Sequence, residues 1–134
     1  MSEDNKAMVR RMAEAINTND LDEMDDLFIP KLARATKRSF AAFRAAFPDW
    51  RMEITELVAE GNTMAGRFRC SGTNQYEFKG KPPTGRRMEV DEVYFLRVED
   101  GKFVDFWALE DDLSRVRQLG LIPTPEQTEE ASPT

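Results

Sequence analysis

The sequence predicts an α+β domain in which helices cover one face of an antiparallel sheet. Apolar residues recur at helical spacing before Pro48 and at every second position after it. The gaps between the predicted strands are short, which favours antiparallel pairing because parallel strands need long crossover connections. Helices followed by a run of strands is the order expected of an α+β fold.

Three helices are predicted before Pro48. The first covers about residues 4–17, where methionine, alanine and isoleucine side chains share one face. A second begins at Asp20, which resembles a capping box with Glu23, and it ends at Pro30. The third covers about residues 37–46.

Strands are predicted for the second half of the chain, over residues 51–60, 63–71, 75–79, 87–98 and 103–109. Turn-forming glycine, asparagine, proline and aspartate residues separate them. A short helix then closes the domain, with Leu113, Val116 and Leu119 on its apolar side and Gly120 as its stop.

Length and composition predict one domain over residues 1–122 and a disordered tail over 123–134, where prolines and polar residues dominate. The net charge of −6, with no block of lysine and arginine, argues against a nucleic-acid partner. No apolar run approaches the ~20 residues of a membrane span, and the polar N-terminus does not resemble a secretory signal. The single cysteine, Cys70, fits a reducing compartment, so we expect a cytoplasmic protein.

The absence of histidine restricts the chemistry most strongly. It excludes Ser-His-Asp and Cys-His catalysis and histidine-ligated metal sites. No glycine-rich phosphate loop is present either. Proton transfer must come from Asp, Glu, Lys, Tyr or Cys side chains.

Strand alternation selects the polar residues that face the interior. Glu92 and Tyr94 fall on the apolar side of the longest strand, where a carboxylate is costly unless it is hydrogen-bonded. Glu92 is therefore either a polar point in a pocket or a glutamate satisfied by a backbone group or an arginine. Phe68 falls on the apolar side of the predicted strand over 63–71. If alternation continues past that strand, Asn74 and Tyr76 share this face, and Asn74 is either a ligand donor or a turn residue.

Alternation in the last strand places Trp107 and Asp111 on one face, within reach of one cavity. Asp111 at the rim of such a cavity would suit general acid–base catalysis. An aspartate at this position, or Asp112 next to it, is also typical of a helix N-cap. Spacing by itself favours the capping interpretation.

From about residue 8 to 122 the chain resembles the SnoaL-like polyketide cyclase (ester cyclase) family. The resemblance depends on F-P-D-W at 47–50, L-V-A-E-G-N-T-M-A-G-R-F at 57–68, G-T-N-Q-Y-E-F-K-G-K-P-P-T-G-R at 72–86, L-R-V-E-D-G-K-F-V at 96–104 and W-A-L-E-D-D-L with the terminal Q-L-G at 107–120. Many members have histidine at the position of Asn74 and glycine at that of Tyr76, whose ring would narrow the pocket.

The resemblance implies a cone-shaped barrel of the ketosteroid-isomerase kind, with N-terminal helices on a strongly curved antiparallel sheet, and a homodimer. It also implies an intramolecular aldol cyclisation of a hydrophobic carbonyl compound, without cofactor or metal, in which one aspartate exchanges the proton. The family aspartate matches Asp111, which leaves Asp112 as the expected cap. The expected pocket residues are Trp107, Asn74, Glu92, Tyr94, Tyr76, Phe68, Trp50 and Phe43.

Two other functions stay open at this stage. An epoxide hydrolase of the same fold would need an Asp–Arg–Asp arrangement, for which Asp91, Arg97 and Asp105 offer the residue types, although alternation puts them on the opposite face from Glu92. A binding or interaction domain that kept the barrel without the chemistry is the third hypothesis, and the absent histidine supports it.

Overall fold

A computed structural model of the chain describes residues 2–122. Its α-helices are α1 (Ser2–Asn17), α2 (Met24–Leu27), α3 (Pro30–Ala46) and α4 (Asp112–Gln118), and a short 3-10 helix covers Leu21–Glu23. The strands are β1 (Arg51–Glu60), β2 (Thr63–Thr73), β3 (Arg87–Glu99) and β4 (Lys102–Glu110). They form one antiparallel sheet in the order β1-β2-β3-β4, so the predicted α+β class is confirmed.

Two β-bulges bend this sheet. In β1 the pairing passes from Ile54 to Glu56, which leaves Thr55 as an extra residue. In β4 it passes from Phe103 to Asp105, which leaves Val104 as an extra residue. Each bulge reverses the alternation along the rest of its strand, because side chains point to opposite faces with a period of two.

The core lies between the inner face of the sheet and the helices. Helix α1 contributes Val9, Met12 and Ile16, which recur at helical spacing. Phe68 of β2 and Tyr94 of β3 pack against each other from the sheet, with ring centroids 4.6 Å apart. None of the helices within residues 2–122 is both long and apolar enough to cross a membrane.

The helical predictions before Pro48 were wrong in two details. Helix α3 begins at Pro30 rather than near residue 37, because proline is well tolerated in the first turn of a helix, where its missing N–H is not needed. Asp20 precedes the 3-10 helix, but its side chain makes no capping hydrogen bond, so the capping box with Glu23 does not form.

The predicted strand over residues 75–79 was also wrong. These residues belong to the β2–β3 loop (residues 74–86), where one isolated bridge joins Phe78 to Lys81. Positive φ angles at Lys79 and Gly80, of 51° and 78°, break the extended backbone there. The predicted tail over 123–134 lies outside the described residues.

Candidate functional site

Glu92 is a buried carboxylate on the inner face of β3. The residue is 1% exposed, and the Tyr94 hydroxyl donates to its Oε1 at 2.5 Å. The Arg115 guanidinium donates to its Oε2 through Nη2. An arginine is thus the partner that satisfies this inward glutamate, which is one of the two interpretations that the sequence left open.

Arg115 links three carboxylates at the end of the sheet. Besides Glu92, its Nη1 donates to Asp112 Oδ1 at 2.6 Å and lies 3.5 Å from Glu110 Oε2. Arg115 is fully buried because it projects inward from α4 on the same side as Leu119, four residues later. The result is a hydrogen-bonded charge cluster between β3, β4 and α4, in which Arg115 and Glu92 are buried and the Asp112 side chain is exposed.

Aromatic side chains pack beside this cluster. The Phe43 ring stacks on Trp50 with centroids 4.7 Å apart, and the Cζ atom of Arg115 lies 4.9 Å from the Phe43 ring centroid. Phe78 of the β2–β3 loop packs 5.9 Å from Phe43. Of the predicted pocket residues, Phe43 and Glu92 contact Arg115 directly, and Trp50 and Tyr94 pack against or bond to these two. Phe68 packs on Tyr94.

A cleft of about 550 Å³ opens to solvent above these rings. We call it the aromatic cleft. It lies between α3 and the β2–β3 loop, and Phe43, Phe78, Lys79 and Glu110 are among the residues that line it. Glu110 is the member of the charge cluster that reaches this surface, with a side chain 27% exposed.

Burial raises the pKa of Glu110 and of two groups beside Glu92, Tyr94 and Cys70. It raises the pKa of Glu110 above the ordinary 4.5, the Glu92 charge adds to the rise, and Arg115 opposes it. Burial and the charge of Glu92 also raise the pKa values of Tyr94 and of the Cys70 thiol well above their usual ranges. Cys70 is therefore a protonated, unreactive thiol, as its burial predicts.

Asp111 caps α4. Its Oδ1 accepts a hydrogen bond from the Ser114 backbone N–H at 3.2 Å, and the residue is exposed. The expectation that Asp112 would be the cap was wrong, because the Asp112 carboxylate pairs with Arg115 instead. Asp111 is not among the residues that line the aromatic cleft.

Trp107 faces away from the interior, contrary to the prediction. It is 54% exposed and packs against Phe95 on the outer face of the sheet, with ring centroids 5.7 Å apart. The bulge at Val104 is the cause, since it turns Phe106 inward and Trp107 outward. The same reversal brings Glu110 to the inner face, directly opposite Glu92.

Asn74 and Tyr76 belong to the β2–β3 loop. Asn74 is buried, its amide donates to the Tyr76 carbonyl at 2.7 Å, and its Oδ1 accepts from the Thr84 N–H at 3.0 Å. These contacts match the turn role that the sequence left open for Asn74. Tyr76 is 60% exposed and does not line the aromatic cleft, so its ring does not narrow that cleft.

The residues of the epoxide-hydrolase hypothesis do not converge. Arg97 pairs with Asp105 at 3.2 Å, whereas Asp91 pairs with Arg67 at 2.9 Å. Both pairs lie on the outer face of the sheet, where alternation placed Asp91 and Arg97 and where the bulge at Val104 turns Asp105 together with Trp107. Within residues 2–122, no group of three or more Asp, Glu or Cys side chains is arranged to hold a metal ion.

Sequence reasoning missed Glu110 and Arg115. The signal for Glu110 was the spacing of Phe103 and Phe106, since two aromatic residues three positions apart can both face inward only across a bulge. For Arg115 the signal was its spacing of four residues from Leu119, which puts both side chains on one face of a helix. The inward Glu92 was a second signal, because a buried carboxylate is favoured by a cationic partner.

The comparison with known proteins agrees with this architecture. Residues 6–119 match the family described as SnoaL-like polyketide cyclase. The chain belongs to the SnoaL-like polyketide cyclase family. Among its relatives is the aklanonic acid methyl ester cyclase DnrD of Streptomyces peucetius, 29% identical over 135 residues that cover 89% of this chain and 93% of the relative. The nogalonic acid methyl ester cyclase of Streptomyces nogalater is 29% identical and covers 81% of this chain and 92% of its own.

Solved structures share this fold. TsrD from Streptomyces laurentii has a TM-score of 0.83 at 23% identity, over 90% of this chain and 97% of its own. A SnoaL-like polyketide cyclase from Agrobacterium tumefaciens has a TM-score of 0.74 at 23% identity, over 87% of this chain and 98% of its own. The helices and the four-stranded antiparallel sheet of the described residues are thus those of the SnoaL-like cone.

Proposed function

We propose that the protein catalyses an intramolecular aldol cyclisation of a flat, hydrophobic carbonyl compound, with a carboxylate at the β4–α4 junction as its acid and base. The observation that carries this proposal is Glu110, a half-buried carboxylate with raised pKa on the lining of the aromatic cleft. Phe43 and Phe78 offer flat apolar surfaces beside it. Named relatives of the chain are ester cyclases, which supports the same class of reaction.

The reaction needs one proton to be removed and then returned. The carboxylate takes a proton from the carbon next to a carbonyl, and the C–H electron pair passes into an enolate. The enolate carbon then bonds to a second carbonyl carbon of the same molecule, and that carbonyl's π pair becomes an alkoxide. The alkoxide takes the proton back from the carboxylic acid, so the cyclic product is an isomer of the substrate and no redox partner is consumed.

Glu110 suits this role better than an exposed carboxylate. A raised pKa brings the base closer to neutral pH and so strengthens it for carbon deprotonation. Arg115 lies 3.5 Å from Oε2 and restricts the orientation of the carboxylate. Asp111, which the family resemblance selects, is the neighbouring candidate, and its cap bond occupies one of its two oxygens.

The test compares Glu110→Gln with Asp111→Asn in cyclisation of aklanonic acid methyl ester, the compound named for several relatives. Asparagine keeps the N-cap, so Asp111→Asn should fold normally. If Glu110 is the base, Glu110→Gln should lower kcat by at least about a hundredfold, the usual size of a general-base contribution, and Asp111→Asn should not.

The reverse result would identify Asp111 as the general base, and the proposed class of reaction would stand. If turnover survives both substitutions, neither carboxylate of the β4–α4 junction is the catalytic acid and base. A wild-type protein that binds this ester and its analogues tightly without turnover would instead favour the binding-domain hypothesis.

A further inference from the structure

One nitrogen of Arg115 is shared by two carboxylates. Nη1 donates to Asp112 Oδ1 at 2.6 Å and lies 3.5 Å from Glu110 Oε2, which is longer than an ordinary N–H···O bond. Nη2, the other terminal nitrogen, donates to Glu92. Because the Arg115 side chain is fully buried, water does not compete for Nη1, and the two carboxylates divide it unequally.

The two carboxylates that share Nη1 have different surroundings. Glu110 lines the aromatic cleft and can therefore meet a bound molecule. Asp112 is the first residue of α4, its side chain is 56% exposed, and it is not among the residues that line the cleft. The short bond from Arg115 thus goes to the carboxylate outside the cleft, and the long contact goes to the one inside it.

The division of Nη1 affects how freely Glu110 can accept a proton. A full charge-assisted bond from an arginine favours the ionised form of a carboxylate and fixes its orientation. Without the Asp112 carboxylate, one N–H of Nη1 would be released beside Glu110, which is already within 3.5 Å. Arg115 would stay in place meanwhile, since Nη2 is still held by the buried Glu92.

Several other groups act on Glu110. The charged ones come from β3, α4 and the β2–β3 loop, and they are Glu92, Arg115, Asp112, Glu77 and Lys79. Cys70 and Tyr94 are neutral, because burial and the Glu92 charge raise the pKa values of both. The α3 residues on the cleft wall, such as Ser39 and Phe43, carry no charge. In this setting Asp112 is the acceptor that shares Nη1 with Glu110.

We propose that Asp112 is a positioning residue for Glu110, because it holds Nη1 of Arg115 and so leaves the inner carboxylate free to take a proton from a molecule in the aromatic cleft. The inference rests on the proposed role of Glu110 as acid and base. Asp112 itself contacts no substrate and acts through Arg115. Its negative charge also acts on Glu110 directly, in the same direction, so an experiment must separate the two effects.

The titration of Glu110 tests this role without any turnover. The probe is the side-chain carboxyl carbon of Glu110, followed by ¹³C NMR over a pH series and assigned with Glu110→Gln. We expect Asp112→Ala to lower the midpoint by about one pH unit, because Glu110 gains the arginine bond and loses a nearby negative charge. An unchanged midpoint would overturn the proposal.

Asp112→Asn separates the bond from the charge. Asparagine removes the charge but keeps an Oδ1 that accepts from Nη1, so its midpoint should fall clearly less than that of Asp112→Ala. Equal shifts in the two variants would show that only the charge matters and would reject an action through Arg115.

Asp111→Asn is the matched control for the titration. It removes a charge from the residue next to Glu110, but the Asp111 side chain bonds the Ser114 N–H and not the Arg115 guanidinium. Its midpoint should stay close to that of wild type. A shift as large as that of Asp112→Ala would contradict a specific role for Asp112.

The pH profile of cyclisation supplies a second readout. In Asp112→Ala the acidic limb of kcat should move to lower pH by the shift seen in the titration, and the limiting kcat should fall because the base is weaker. An active variant with an unshifted profile would contradict the positioning role. Turnover that survives Glu110→Gln would instead reject Glu110 as the base, whereas a titration midpoint that does not move rejects the role of Asp112, so the two failures are distinguishable.

Discussion

Glu110 and Asp111 are adjacent carboxylates with opposite surroundings. Glu110 faces inward against Arg115 and Glu92, whereas Asp111 points outward and caps α4. Their surroundings differ because successive residues of a strand point to opposite faces of the sheet. Burial on the inner face raises the pKa of Glu110.

The raised pKa of Glu110 should be visible in how the free energy of unfolding depends on pH. Its pKa is raised in the folded state, so its proton stabilises the fold fully below the ordinary pKa of 4.5, and this contribution is lost as pH rises through the folded-state value. We expect the free energy of unfolding of wild type to fall relative to Glu110→Gln over that range, as measured by urea denaturation at a series of pH values.

Glu77→Gln is the matched control, since Glu77 is an exposed glutamate on the same cleft. A pH dependence for Glu110→Gln no steeper than that of Glu77→Gln would show that the Glu110 carboxyl is not perturbed by burial.

Helix α4 is the element on which the charge cluster depends. Its attachment to β3 combines Leu119 in the core with the buried contact between Arg115 and Glu92. Asp111 fixes the first turn, and Gly120 ends the helix with a φ of 78°. The Gln118 amide adds hydrogen bonds to both the N–H and the carbonyl of Glu89. Together these contacts hold Arg115 against the edge of the aromatic cleft.

Replacing Arg115 should therefore strongly lower the free energy of unfolding. We expect Arg115→Met to lower the free energy of unfolding by about 3–5 kcal/mol, because Glu92 is left as an unpaired buried charge. The double variant Glu92→Gln, Arg115→Met should lose less than the sum of the two single variants, since Tyr94 can still donate to the glutamine. Additive losses in urea denaturation would show that the two groups do not interact.

The outer face of the sheet carries an apolar row across all four strands. Val58, Ala65, Phe95 and Trp107 are successive cross-strand partners, and three of them are exposed large side chains. Such a contiguous patch is unusual for a monomer's surface. The flanking arginines are already paired within the chain, at Arg67–Asp91 and Arg97–Asp105. A neutral, apolar face suits a second copy of the same chain, since a two-fold interface joins identical surfaces.

The expected homodimer can be tested on this row. Trp107→Lys should shift the protein from dimer to monomer in sedimentation velocity, because it places a charge in the apolar contact. Tyr76→Lys is the control, since Tyr76 is equally exposed at 60% but lies on the β2–β3 loop. A wild-type monomer, or a dimer that tolerates Trp107→Lys, would contradict a dimer through this face.

Hydrophobic periodicity and turn residues were sufficient to predict the α+β class, the main helices and the four strands that form the sheet. These features are local, since a period of 3.6 or 2 and a proline or glycine act on neighbouring backbone. Glu92 and Tyr94 were also found correctly as inward polar residues, because β3 keeps its alternation along its whole length.

Only the tertiary structure decided which side of β4 faces the core and which residue neutralises Glu92. The bulge at Val104 depends on how β4 pairs with β3. It turns Trp107 to the outer face of the sheet and Glu110 to the inner face. Arg115 reaches Glu92 across 23 positions of sequence, through the packing of a helix whose own pattern favoured a different apolar side. Bulges and buried ion pairs arise from contacts between distant segments, so local signals such as the spacing of Phe103 and Phe106 can be interpreted only once the strand pairing is known.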